Sequence, residues 1–111
     1  MKISSIKRGK VCVVTVRDKK IDASVAVEFK NILLDLVRGG ETKIALNMKE
    51  VDFIDSSGLG ALVSIYKSLG QGGQIKLFAV GDRVRSIFEL TSLDQVFDIH
   101  VSEKGALEGM T

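Results

Sequence analysis

VDFIDSSGLGALVSIYKSL, residues 51–69, changes character in its middle. It opens as a short extended apolar piece, Phe53 and Ile54, and breaks at Asp55-Ser56-Ser57-Gly58. From there Leu59, Leu62, Val63, Tyr66 and Leu69 recur at i, i+3, i+4, i+7 and i+10, a helical and not a strand-like spacing. Asp and Ser readily accept hydrogen bonds from the unpaired N–H groups of a first helical turn. The reading is a strand that gives way to a helix through a surface turn. Two hydroxyls then sit at the positive end of that helix beside a carboxylate, where a phosphate is readily accommodated.

Working outward, the flanks alternate strand and helix. Residues 2 to 7 read as an edge strand, Arg8-Gly9-Lys10 as a hairpin turn, and the β-branched run Val11 to Val16 as an interior strand buried on both faces. Asp18 to Lys20 reads as a polar break. Asp22 or Ser24 is placed to cap a helix carrying Val25, Phe29, Ile32, Leu33, Leu36 and Val37, which Gly39-Gly40 stops. Ile44 to Met48 is a strand leading into the central stretch, and Gly70 to Gly73 ends the helix. Ile75 to Val80 is another strand, and Gly81-Asp82 turns and caps a helix with Val84, Ile87, Phe88 and Thr91. Leu93 and Val96 extend its apolar contacts, Phe97 to Val101 is a last strand, and 102–110 forms a short terminal helix. The order β-β-α-β-α-β-α-β-α predicts an α/β fold: a mixed, mostly parallel sheet with an N-terminal hairpin and covering helices.

The 111 residues fit a single domain, 1–111. With 45% hydrophobic and 27% charged residues the composition is that of a globular chain. The net charge of +2 is small and its basic residues lie scattered among acids, so no nucleic-acid partner is expected. No apolar run reaches the roughly 20 residues a membrane helix requires, so no membrane partner is expected either. The N-terminus MKISSIKRGK lacks an apolar signal core, and the single Cys12, inside VCVVTV, reads as a small buried hydrophobe. Both observations point to a reduced, cytoplasmic setting.

The residues give little support to catalysis. One His and one Cys, far apart in sequence, offer no ligand-spaced cluster, so no metal and no cofactor are expected. Ser56 or Ser57 as a nucleophile would need a base, and His100 is the sole imidazole. Neither serine has glycine two residues before it, so the nucleophile-elbow pattern is absent. Gly58-Leu59-Gly60 starts a helix after a strand, but the third glycine of a dinucleotide loop would fall at Val63. By physics alone, helix capping accounts for Ser56 and Ser57.

The wider pattern adds to this. Ile44-Ala-Leu-Asn-Met48 followed by Val51-Asp-Phe-Ile-Asp-Ser-Ser-Gly-Leu-Gly60 resembles the signature of STAS domains, most nearly the bacterial anti-sigma factor antagonists. The resemblance extends to Ile21-Asp22, to the glycine-rich break at 70–73 and to Val84–Leu93. It implies that Ser56, the serine directly after the motif aspartate, is phosphorylated by a partner that is both anti-sigma factor and serine kinase. It further implies that a metal-dependent serine phosphatase reverses the modification, and that Asp22 lies near that serine. Two turns depart from the family's pattern: Lys19 and Ser92 stand where glycine is common.

The expectation is a non-enzymatic regulator whose partner surface comprises Asp22, Asp55, Ser56, Ser57, Gly58, Leu59 and Gly60. The alternative is a STAS module in a lipid-transport or stress-sensing assembly, using the same surface without a kinase. Self-association stays open.

Overall fold

A tight hairpin starts the chain. In the computed structural model, which describes residues 1–110, β1 (Ile3–Arg8) pairs antiparallel with β2 (Val11–Val16), Arg8 facing Val11. Gly9 turns between them with φ +63°, a left-handed conformation that only glycine adopts without strain. Each later strand of this sheet is reached by a helical crossover. β4 (Lys43–Asn47), β6 (Gln74–Phe78) and β7 (Asp98–His100) are parallel to β2 and complete a sheet of order β1-β2-β4-β6-β7.

Alternation along the strands builds two cores. Cys12, Val14, Val16, Ile44, Leu46, Ile75 and Leu77 face one side of the sheet. There they meet α1 (Ala26–Arg38) through Phe29 and Leu33, α2 (Ser56–Leu69) through Leu62 and Ile65, and α3 (Asp82–Leu90) through Val84 and Phe88. Val11, Val13, Ala45 and Phe78 face the other side and are covered by Ala106 of the short α4 (Glu103–Glu108) and by Met110. Each fully buried Leu, Ile or Phe contributes on the order of 1.5–3 kcal/mol. This confirms the expected α/β architecture with a hairpin and a mixed, mostly parallel sheet.

Four local expectations are corrected. Lys20 does not belong to a polar break: β3 (Lys20–Ile21) pairs parallel with β5 (Phe53–Ile54) in a separate two-stranded sheet. Ile21 and Ile54 are both buried there, and Lys19 O accepts the N–H groups of Asp52 and Phe53 at 2.8 and 3.2 Å. The N-cap of α1 is Val25, with no side-chain bond to the helix, so neither Asp22 nor Ser24 caps it. Of the pair Gly81-Asp82, Gly81 alone is the N-cap of α3, and Asp82 is already inside the helix.

The fourth concerns the buried face of α2. It is Gly58, Leu59, Ala61, Leu62 and Ile65. Val63 and Leu69 are half-buried, and Tyr66 is 45% exposed, packed edge-on to Phe97 with centroids 5.5 Å apart. Apolar residues at 59, 61, 62, 63, 65, 66 and 69 span more than half the helix circumference. Tertiary packing against α1 selects the phase that brings Ala61 and Ile65 inward.

Candidate functional site at the start of helix α2

Chain geometry sets the site. β5 ends at Ile54, and Asp55 leaves it in an extended conformation, φ −107° and ψ −174°, as the N-cap of α2. Its Oδ1 accepts the N–H of Gly58 at 3.0 Å and its carbonyl accepts that of Leu59 at 2.9 Å. Its other oxygen, Oδ2, accepts the N–H of Ala23 at 3.1 Å, while its own N–H donates to Ile21 O at 3.3 Å. One aspartate thus holds together the helix start and the turn after β3.

Asp22 organises that turn internally. Its Oδ1 accepts the Ser24 hydroxyl at 2.6 Å and the Ser24 N–H at 3.0 Å. Its carbonyl accepts the N–H groups of Val25 and Ala26, at 3.1 and 2.9 Å. The carboxyl pKa is lowered, chiefly by the Ser24 hydroxyl bond. Partial desolvation opposes this, while the Ser24 N–H, the nearby Lys20 charge and the residue's own N–H add to it.

The remaining expected residues divide by orientation. Ser56 and Ser57, the first two residues of α2, are exposed, as is Gly60, whose Cα faces open space. Gly58 and Leu59 point inward. A Cβ on Gly58 would run into the carbonyl oxygen of Ile21 and lie 2.7 Å from Ile54 Cγ1. The smallness expected of Gly58 for a partner is used inside the chain, to let α2 start against β3. The outward surface is therefore Ser56, Ser57 and Gly60, flanked by Asp55 and Asp22.

Beside it runs a groove of about 340 Å³ between the beginnings of α1 and α2. Ala26, Val27 and Lys30 line one wall, and Ser57, Gly60, Ala61 and Ser64 the other. Sequence reasoning passed over Val27 and Lys30. The available signal was Val27, an apolar residue off the buried stripe of α1, and it is 66% exposed.

Ser56 has no imidazole at hand. His100 faces the opposite side of the sheet, its Nδ1 beside Gly105 of α4 and its Nε2 buried without a partner. Among the described residues no three His, Cys, Asp or Glu side chains converge on a point, and no helix is long and apolar enough to cross a membrane.

Known proteins resemble the chain along most of its length. The STAS domain family model matches residues 2–106. The chain is 32% identical over 91 residues to the anti-sigma-B factor antagonist of Bacillus subtilis, covering 80% of this chain and 82% of that protein. It is 30% identical over 90 residues to the anti-sigma-B factor antagonist of Staphylococcus aureus, with the same coverage of 80% and 82%. An anti-sigma factor antagonist from Mycobacterium paratuberculosis superposes with a TM-score of 0.86 at 25% identity, over 97% of this chain and 93% of that one.

Proposed function

We propose, for a chain that belongs to the STAS domain family, that it is an anti-sigma factor antagonist switched by phosphorylation of Ser56. In the unmodified form the surface of Asp22, Asp55, Ser56, Ser57 and Gly60, supported from beneath by Gly58 and Leu59, docks an anti-sigma factor and frees its sigma factor. That partner is also the serine kinase that esterifies Ser56, and a metal-dependent serine phosphatase restores the hydroxyl. The chain itself catalyses nothing in this scheme. The observation that carries the reading is the exposed hydroxyl of Ser56 directly after the capping carboxylate of Asp55.

The energetics suit a local switch. A phosphate adds about −1.5 to −2 charges. The N-terminus of α2 would favour it by about 1–2 kcal/mol. Each like-charge pair at about 4 Å opposes it by roughly 4 kcal/mol at an effective dielectric near 20. Asp55, the preceding residue, adds like charge beside it, and an acidic or closely packed partner surface supplies more. Reversing a binding equilibrium from 99:1 to 1:99 takes about 5.5 kcal/mol, which is within reach of one phosphate in a dry contact. No refolding is required.

The test is incubation with ATP and each kinase-type anti-sigma factor of the source organism, followed by phosphopeptide mapping. The expected result is a single phosphate on Ser56. A phosphate on Ser57 instead would overturn the assignment. Neither binding nor phosphorylation by any of them would overturn the sigma-factor role.

A further inference from the structure

The α1–α2 groove has features that the fold does not need. The inward face of α1 is already supplied by Ala26, Phe29 and Leu33, yet Val27 projects from it with 66% of its surface exposed. One turn further on, Lys30 is half-buried in the groove wall and, among the described residues, forms no ion pair. No carboxylate lines the groove, so Lys30 is its sole ionisable group. The opposite wall of Gly60, Ala61 and Ser64 is small, leaving room for a side chain to enter between the helices.

We propose that this groove receives an acidic side chain of the anti-sigma factor, which pairs with Lys30, while Val27 packs against an apolar patch on the same partner. The proposal rests on the reading of the protein as an anti-sigma factor antagonist and extends its contact surface onto α1. Three observations fix the occupant's chemistry. An ammonium at the groove wall that forms no ion pair among the described residues is complemented by a carboxylate, and a partner that covers the groove strengthens that pairing relative to one in open water. The exposed valine beside it calls for an apolar neighbour at the same contact. Ser57 and Gly60 belong both to the groove wall and to the outward surface at the start of α2, so one partner covers both without a gap. Lys30 thereby becomes a selector: an anti-sigma factor with a basic residue at this place meets like charge and is rejected.

The experiment measures Kd by calorimetry between the unphosphorylated chain and the anti-sigma factor that phosphorylates it. Lys30→Glu should weaken binding by about tenfold or more, whereas Lys30→Arg should stay within about threefold. Val27→Ser should weaken it by about threefold to tenfold. Lys104→Glu makes the same charge change on α4, across the sheet, and should leave Kd within about twofold. Melting curves should show all four variants folded, since neither Val27 nor Lys30 is in the core. Raising salt should weaken the unaltered chain more steeply than Lys30→Gln. Tight binding that Lys30→Glu leaves unchanged, or lowers no more than Lys104→Glu does, overturns the groove proposal alone. An unaltered chain that binds no anti-sigma factor overturns the functional reading and the groove with it.

Discussion

Asp55 and Ala23 are joined by a hydrogen bond from the Ala23 N–H to Oδ2 of Asp55, 3.1 Å long, while Oδ1 of the same carboxylate holds the Gly58 N–H at 3.0 Å. The two bonds tie the turn after β3 to the start of α2, two segments 32 residues apart in sequence. Removing an N-cap costs about 0.5–2 kcal/mol, and bonds to a charged acceptor about 1.5–3 kcal/mol each. Asp55→Ala should therefore lose about 2–3 kcal/mol in urea unfolding. Asp55→Asn retains a single acceptor oxygen and should lose about half as much. Equal stability of Asp55→Ala and the unaltered chain would show that the link carries no weight.

Two glycines two residues apart should respond oppositely to the same change. At Gly58 a methyl meets backbone, which cannot yield without shifting β3, so Gly58→Ala should destabilise by about 1–3 kcal/mol. At Gly60 nothing lies within 4 Å of an added Cβ, so Gly60→Ala should stabilise α2 by up to about 1 kcal/mol. Binding of the partner should nonetheless weaken in Gly60→Ala, because the methyl stands on the outward surface. Thermal melts and a binding titration read the two effects separately.

The Asp22 turn should be acid-resistant. Its folded carboxyl pKa lies below the ordinary aspartate value, so the stability it contributes is present above the unfolded value and is lost as pH falls through the folded one. The turn should stay closed through mildly acidic pH and open only beneath the usual carboxylate range. Ser24→Ala removes the largest cause of the shift, so opening should move to higher pH. The Asp22 carboxyl resonance reports this by NMR titration; a midpoint at or above that of free aspartate would contradict it.

Ser92 occupies a left-handed conformation, φ +61° and ψ +14°, between α3 and the 3-10 turn Leu93–Gln95. Side chains carry roughly 1–2 kcal/mol of strain there, offset in part by the greater freedom glycine loses on folding. Ser92→Gly should gain up to about 1 kcal/mol, raising the melting temperature by a few degrees. Ser92→Val should lower it, and equal melting of the two would rule out strain at this position.

Much of this was legible along the chain. Gly9 between the edge-strand segment 2–7 and the β-branched run Val11–Val16 announced the hairpin, and strand-to-helix alternation announced the parallel crossovers. The Asp55-Ser56 turn was legible because a cap acts within its own four residues. What escaped depends on distant segments meeting. Two-residue strands carry no periodicity, so β3 and β5 exist only because Ile21 and Ile54 are buried together. The inward turn of Gly58 is decided by Ile21, and the phase of α2 by α1. Val27 and Lys30 join the site because α1 crosses beside α2, a fact no local pattern encodes.

The central claim is that one phosphate on Ser56 dismantles the partner contact while the fold stays as it is. Its most direct measurement is the Kd of one anti-sigma factor for the unmodified chain and for the Ser56-phosphorylated chain, with the melting curves of both. The account predicts at least about a hundredfold weaker binding after phosphorylation, toward the ~5.5 kcal/mol of a complete reversal, with closely similar melting. Equal affinities would contradict it.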